Sequence, residues 1–503
     1  MSRTGEVTER RSISGIRGTA ETLTRQKAAD YTRAFATCLR RFHTGNTVVV
    51  GIDTRPTSAG YGACVIDSLR DAGWDVIDVG VVGTPTLQIA ISKLSAAGGV
   101  AVTASHNPVE YNGIKFLQNR HGYGVFLDKE QVNELFAIYD AGEFDTRRRG
   151  ECHNVADLTA DFDDPPYTAE YLDRNRIDLS VDNHLILDHH LHRVFSAMGR
   201  ELDRIRGMNF RVAMDCCGGA GIPIDYVLLD YLYCRLKRVN GRPGEFSRPI
   251  EPTPANLAGL CNDLERDSED YDAAFVTDCD NDRCVIVGRN PETGAYVPLE
   301  EDYTFAIAVD QVLANAPHGS TVVTNWSTSQ TLYDVASSHN ANLRRAPTGE
   351  VYTASEALQY RAAIAGEGSC AGVIDPRVGL GRDCLVAMWH ILGALARTSA
   401  GLVSIAEALP RYYRVRQDHP CNLPLEQTAG LLEVLQVHYA RKDAIHFISR
   451  EDGLVVCFND QSRIHIRNSN TEPILRVRSE ARTEPEARAL IDEARSVIAG
   501  HAK

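Results

Sequence analysis

An α/β fold is predicted: three similar mixed α/β sandwich units in series, followed by a C-terminal α+β unit. Three observations predict it. Short apolar, β-branched runs recur and end in polar loops, apolar stretches of helical length separate them, and beyond about residue 410 short alternating strands take over. With 503 residues the chain is long enough to build several cores.

The first unit opens with the β-branched run Thr47–Ile52, then Asp53-Thr54-Arg55-Pro56, a helix-like stretch to Leu69 and an apolar run over 75–79. A buried strand at 99–102 ends at a polar loop, the place where α/β sheets carry function. Residues 143–166, rich in charge, Gly and Pro, read as a linker or surface excursion. The second unit starts at 210–215, turns through Gly218-Gly219-Ala220-Gly221 and enters an apolar helix over 226–236. Its later strand, Ala273–Thr277, runs into an acidic loop. The third begins at 321–324, continues through a helix over 332–338 and returns at 362–365 before another Gly-rich loop. Three units of like pattern suggest an internal threefold repeat. The last unit has strands at 445–448, Leu454–Phe458, 463–466 and 474–477, closed by a helix over 484–499. The expected domains are 1–170, 171–295, 296–405 and 406–503.

Composition narrows the function. Hydrophobic residues make up 43% and charged residues 24%, ordinary globular usage that argues against a disordered or fibrous chain. A formal net charge of −14 would repel phosphate backbones and acidic membrane surfaces, so neither nucleic acid nor a membrane is expected as a partner. A small phosphorylated substrate stays compatible if arginines and a cation are concentrated where it binds. Residues 1–20 are polar with no apolar secretory core, and no later run approaches the roughly 18 apolar residues of a membrane span. Thirteen cysteines, an odd number without a CxxC pair, read as reduced thiols of a cytoplasmic protein.

Four loops hold the candidate chemistry. Residues 103–108 read Thr-Ala-Ser-His-Asn-Pro directly after an apolar strand, and Tyr111-Asn112-Gly113-Ile114-Lys115 follow. Ser105 would project from the strand end, with His106 and Lys115 near enough to act on a proton or an anion; an ordinary Ser/Asn turn is the alternative. Residues 277–283 read Thr-Asp-Cys-Asp-Asn-Asp-Arg, and alternation points Asp278, Asp280 and Asp282 the same way. Three converging carboxylates suit Mg²⁺, and Arg283 adds a planar donor fork for phosphate. An EF-hand does not fit: counted from Asp278, Arg283 stands where the sixth-position glycine belongs and Arg289 where the closing glutamate belongs. A solvated acidic turn is the other reading. In the third loop, Gly-Glu-Gly-Ser at 366–369, Glu367 could accept from two sugar hydroxyls and Ser369 adds a small donor and acceptor, although any turn uses Gly and Ser. The fourth, Arg-Asn-Ser-Asn-Thr-Glu-Pro at 467–473, is followed by Arg476 and Arg478. Arg467, Ser469, Thr471 and the loop's amides form either a cradle for a phosphate that is held but not transferred, or a solvated turn.

All four loops, in this order, resemble those of the α-D-phosphohexomutase family, which includes phosphoglucomutases, phosphomannomutases and phosphoglucosamine mutases. Ser14-Gly15-Ile16-Arg17-Gly18, Asp53-Thr54-Arg55-Pro56, Gly83-Thr84-Pro85 and Asp215 with Gly218-Gly219-Ala220-Gly221 add to the match, which covers nearly the whole chain. The resemblance implies four loops meeting in a central cleft. It implies that Ser105 is the phosphoryl donor, that Asp278, Asp280 and Asp282 hold Mg²⁺ together with the phosphate of Ser105, and that Glu367 and Ser369 recognise the sugar. Arg467, Ser469, Asn470 and Thr471 would clamp the idle phosphate, and Arg17, Arg283 and Lys115 would line the reacting one. Phosphoserine would pass its phosphoryl group to a sugar monophosphate; the sugar 1,6-bisphosphate would turn and return its other phosphate. Priming by a kinase or by sugar 1,6-bisphosphate, and a monomer or homodimer, are implied as well.

Departures bear on the sugar. Cys370-Ala371-Gly372 follows the Glu-x-Ser loop where many glucose and mannose mutases have Gly-His, and Thr348-Gly349-Glu350 replaces a Gly-His of other relatives. The stretch 366–378 looks closer to a phosphoglucosamine mutase branch, although Ser369 stands where that branch has asparagine. Glucosamine phosphate is therefore the first choice, glucose or mannose phosphate the second, and a non-catalytic sugar-phosphate sensor the alternative of another class. His106 and Lys115 are the candidates for proton transfer. Two further features read as structural: His189 and His192 as a solvated helix face or linker, and Cys216-Cys217 as small buried hydrophobes.

Overall fold

The computed structural model describes residues 9–155, 184–420, 425–468 and 474–501, and four sheets organise them. In the first, parallel strands lie in the order Asp75–Val81, Thr47–Ile52, Gly98–Val102, and the antiparallel strand Tyr111–Arg120 comes next. The second has Arg235–Val239, Arg211–Asp215 and Ala273–Thr277 parallel, then Cys284–Arg289 antiparallel. The third has Asn342–Ala346, Thr321–Asn325 and Ile364–Glu367 parallel, then Gly372–Ile374 antiparallel. The threefold repeat is thus a repeat of strand order.

That order explains why the loops matter. A parallel return needs a crossover, usually a helix, whereas an antiparallel neighbour can be reached by a short connection. Each unit therefore leaves one compact loop between its third and fourth strands, at 103–110, 278–283 and 368–371. These are the three loops that the sequence singles out in the first three units. Each also bends through a non-glycine residue in the left-handed region, Ser105 at φ 52°, Asn281 at 62° and Ala371 at 52°.

Burial on both faces accounts for the apolar strands. Val48 and Val50 pack in one cluster with Phe35 and Leu39 of the helix Arg25–Phe42 and Val65 of the helix Ser58–Asp71. Val49, one residue out of phase, faces Leu87 and Ile89 of the helix Thr84–Lys93. That second cluster continues through Phe275 to Phe305 and Trp389, so the first three units share one core and their loops are held in fixed relation.

The fourth sheet is wholly antiparallel, in the order Tyr413–Pro420, Ile474–Ala481, Arg463–Asn468, Leu454–Phe458, Ile445–Ser449. Helices Leu425–Tyr439 and Glu484–His501 cover one face through Leu431, Leu435 and Ile491. The other face meets the third unit, where Trp326 packs on Val455 and Cys457.

Several expectations change. The helix expected over 226–236 is Ile222–Tyr231; Tyr233 turns at φ 59°, and Leu236 belongs to the strand Arg235–Val239. One unbroken apolar run contained a helix and a strand, which periodicity cannot separate. Glu367 ends a strand rather than lying in the loop after it. Within the presumed linker, Cys152–Asn154 adds an edge strand parallel to Asp75–Val81, while residues 156–166 lie outside the described residues. The strand Tyr413–Pro420 and the helix Leu425–Tyr439 were not anticipated. His189 and His192 are half-buried on the helix His184–Met198 rather than solvated. Their neighbour His190 is fully buried, its Nδ1 3.0 Å from Thr86 Oγ1 and its Nε2 2.7 Å from Asp383 Oδ2. No single described helix is long and apolar enough to cross a membrane.

Candidate active site

Arg55 shapes the serine loop. Its guanidinium donates to the carbonyls of Ser105 (2.6 Å), Asn107 (2.7 Å), Pro108 (2.6 Å) and Tyr111 (3.1 Å), and its Nε pairs with Asp53 at 3.1 Å. A buried cation thus satisfies the carbonyls of a tight loop and fixes a left-handed residue that would otherwise cost on the order of 1 kcal/mol. Ser105, buried, donates from Oγ to Asp278 Oδ2 at 2.8 Å, and its Oγ lies 3.4 Å from His106 Nδ1. The serine oxygen therefore sits at the edge of the acidic loop.

That loop is buried: Asp278, Asp280 and Asp282 are each at most 1% exposed, and one ligand atom from each lies within 4.8 Å of the others. Two glycines permit its packing. A Cβ on Gly83 would come 3.0 Å from Asp280 O, and one on Gly219 would come 2.7 Å from Cys279 O. Thr84, directly after Gly83, donates its amide to Asp280 O at 2.9 Å and its hydroxyl to Asp280 Oδ2 at 2.5 Å. The Gly-rich run at 218–221 is thus a floor beneath the acidic loop.

Cations surround the carboxylates. Lys115 donates to Asp280 Oδ2 at 2.6 Å and Asp282 Oδ2 at 3.3 Å; Arg382 reaches Asp282 Oδ2 at 2.7 Å; Arg283 Nε stands 3.8 Å from Asp278 Oδ2. Arg17 donates to Asn107 Oδ1 at 2.9 Å, on the serine side. Burial and then the neighbouring Asp280 and Asp282 push Asp278 up to about 7. Burial would raise Asp280 too, but the Lys115 ammonium and Thr84 outweigh it and hold that carboxyl below the usual range. Burial would lower Lys115, yet the two aspartates raise it, so its amine is protonated. His106 is driven far down, first by Arg283, then by burial and Arg17, and is neutral.

Whether these residues suit Mg²⁺ can be tested on their own atoms. Among the described residues, Asp280 Oδ1 and Asp282 Oδ1 are buried with no hydrogen-bond partner. Hard carboxylate oxygens buried, convergent and uncommitted are a donor set that fits a small hard cation.

Glu367 ends the strand that leads into the third loop, and Ser369 lies on that loop. Glu367 Oε1 accepts from Asn325 Nδ2 at 2.7 Å and from the Gly349 amide at 3.1 Å, while Ser369 is half-buried in the single turn Gly368–Cys370. Arg467 is half-buried at the end of its strand; Ser469, Asn470 and Thr471 lie outside the described residues. Thr348 ties the third unit to the fourth, donating its amide (3.2 Å) and hydroxyl (2.6 Å) to Asp452 Oδ2.

Sequence reading missed Arg382. Besides Asp282, it holds Glu350 Oε2 at 2.8 Å, Glu367 Oε2 at 3.3 Å and Cys370 Sγ at 2.8 Å, joining the second loop to the third. No motif marks it; the one local signal is Asp383, which caps the helix Cys384–Thr398 and so leaves Arg382 at a helix entrance facing inward. Burial pushes the Cys370 thiol up to about 12 despite that guanidinium, so it is no thiolate nucleophile.

Residues 10–146 match the phosphoglucomutase/phosphomannomutase alpha/beta/alpha domain I, residues 300–413 match alpha/beta/alpha domain III, and residues 421–497 match the C-terminal domain. A Thermococcus kodakarensis protein described as phosphoglucomutase/phosphomannomutase is 31% identical over 95% of this chain and 96% of its own length. A Methanopyrus kandleri protein described as a probable phosphoglucosamine mutase is 29% identical over 95% of each chain. Among solved structures, a Burkholderia thailandensis phosphoglucomutase/phosphomannomutase family protein shares the fold with a TM-score of 0.73, at 23% identity over 96% of both chains.

Proposed function

The chain belongs to the phosphoglucomutase/phosphomannomutase family and is a phosphohexomutase, and from that premise we propose how its residues interconvert a sugar 6-phosphate and a sugar 1-phosphate. The observation that carries the reading is the 2.8 Å bond between Ser105 Oγ and Asp278, which puts a nucleophile-sized hydroxyl against a buried acidic triad. A regulatory sensor has no use for that juxtaposition.

Phosphorylated Ser105 donates: its Oγ–P bond breaks as a bond forms from phosphorus to the free hydroxyl of the bound sugar monophosphate, whose proton leaves. Asp278, Asp280 and Asp282 would hold Mg²⁺, which supplies neutralisation of charge on the transferring phosphoryl group. Lys115, Arg17 and Arg283 surround that group with fixed positive charge, the preorganised electrostatics on which phosphoryl transfer depends. Lys115, held protonated by Asp280 and Asp282, is unsuited to accept the proton. We assign that role to His106, which is neutral; a phosphate dianion on Ser105 would offset the cations that suppress its basicity. Glu367 and Ser369 orient the sugar hydroxyls. Arg467, with Ser469, Asn470 and Thr471, clamps the idle phosphate. The sugar 1,6-bisphosphate turns, and the second transfer regenerates phosphoserine, so priming comes from that bisphosphate or a kinase.

Glucosamine phosphate is the proposed substrate, supported by relatives such as the Methanopyrus protein. Glucose and mannose phosphates are the second reading, supported by the name of the Thermococcus protein. A cytoplasmic setting is supported by the described cysteines, all of which are free thiols, and a monomer or homodimer is proposed. The test is intact mass for phosphate on Ser105, then incubation with glucosamine, glucose and mannose 1-phosphates and product NMR. Isomerisation of one sugar phosphate supports the reading; release of free phosphate alone, or binding without change, overturns it.

A further inference from the structure

The fourth sheet turns an arginine-rich face toward the third unit. Ile464, Ile466, Leu475 and Val477 point into the helix-covered core, so the alternate residues share the opposite face. The register sets them in rows: Arg467 opposite Arg476, which also faces Asp418; then His465 opposite Arg478, which faces Arg416; then Arg463 opposite Glu480, which faces Arg414. The last row is committed to holding the units together. Glu480 accepts from Arg463 (2.7 Å), Ser329 Oγ (2.6 Å) and the Gln330 amide (3.1 Å), and Arg414 pairs with Asp302 and with Glu300.

The middle row is not committed. Arg416 and Arg478 form no ion pair among the described residues, and His465 points its Nε2 to Asp452 O at 2.7 Å. His465 is neutral, since burial pushes it down to about 4. Arg416, Arg478 and His465 line a crevice whose other wall is Trp326 and Ser327, and whose floor is the committed row of Arg414, Arg463 and Glu480. That wall belongs to the sugar loop's support: Ser327 Oγ lies 2.9 Å from Thr348 Oγ1, and Asn325 anchors Glu367. Burial, then the neighbouring Arg416, Arg467 and Arg476, push the Arg478 guanidinium down to about 10 against the opposing pull of Asp418.

We infer that Arg416 and Arg478 form a second anion site, distinct from the loop after Arg467, that takes a phosphate dianion of the sugar bisphosphate while the sugar turns. Two planar donor forks match one dianion. Along the strand Arg478 lies two residues from Arg476, about 7 Å, so a second pair of donor forks stands within one step of the clamp. The inference rests on the mutase reading, which makes a doubly phosphorylated intermediate that must let go of the clamp without being lost.

The experiment uses the full-length protein carrying radiolabelled phosphate on Ser105, mixed with unlabelled hexose 1-phosphate. Labelled bisphosphate free in solution is separated from labelled hexose monophosphate for the parent protein and for an Arg416→Gln/Arg478→Gln variant. We expect the first transfer to keep its rate while escape of bisphosphate rises about tenfold, the worth of one charge-assisted hydrogen bond. Added bisphosphate should restore the variant's turnover. Unchanged escape, or a first transfer slowed in step with turnover, overturns the site. If the double variant does not fold, Arg416→Gln carries the same test, because that side chain is exposed. A parent phosphoenzyme that yields no bisphosphate overturns the mutase reading instead.

Discussion

Arg382 Nη2 stands 2.7 Å from Asp282 Oδ2, so a guanidinium supplied by the third unit closes the acidic loop of the second. The same side chain is salt-bridged to Glu350 and Glu367, which makes it the joint between the acidic loop and the Gly-rich loop that follows Glu367. Removing it by Arg382→Ala takes the shared guanidinium from three buried carboxylates and leaves Glu350 and Glu367 with neutral partners only. We expect a loss of about 3–5 kcal/mol in urea unfolding. Turnover should fall by roughly a hundredfold, the cost of a misplaced reacting group. Parent-like turnover in Arg382→Ala would remove it from the site.

Ser105→Ala should abolish turnover while calorimetric binding of sugar monophosphate stays within about tenfold of the parent. The substitution loses the bond to Asp278 but keeps the loop, whose shape Arg55 maintains through the backbone carbonyls. Residual turnover above background would eliminate Ser105 as donor.

Chelation should silence the enzyme, and magnesium should restore it. In Asp280→Asn, magnesium affinity by titration calorimetry should drop by more than about tenfold, because one of the uncommitted buried oxygens becomes an amide edge. Equal affinity in parent and variant would place the cation elsewhere.

Asp188 gives a pH signature independent of the cleft. Its carboxyl is buried, Oδ1 has no hydrogen-bond partner among the described residues, and burial pushes it up to about 7. A carboxyl raised in the folded state binds a proton there that the unfolded chain has already lost. Stability therefore falls as pH rises from the ordinary carboxylate range through about 7, and is level above it. Asp188→Asn should stabilise the protein by about 2–4 kcal/mol at pH 8 and hardly at all near pH 4. Melting curves at the two pH values check this; an equal shift at both would refute it.

Legibility followed the range of the interaction. Thr47–Ile52 and Ala273–Thr277 were read to the residue because strands buried on both faces are apolar throughout. The boundary at Tyr233 was missed because a helix and a buried strand shared one apolar run. The partial burial of His189 and His192 was missed for another reason: what covers a helix face is sequence-distant. Arg382 touches residues that are 100, 32 and 15 positions away, and nothing near it in sequence announces them.

Alternating aspartates, a serine at a strand end and an arginine loop determine what chemistry is present, since a side chain's charge and donor set are properties of the residue itself. Proximity is not: Ser105 meets Asp278 across 173 positions because two copies of one strand order pack into a common core and turn equivalent loops inward. Protonation follows from the same packing. Lys115 stays charged and His106 neutral through the net field of groups drawn from different units, and only the folded chain sets that field.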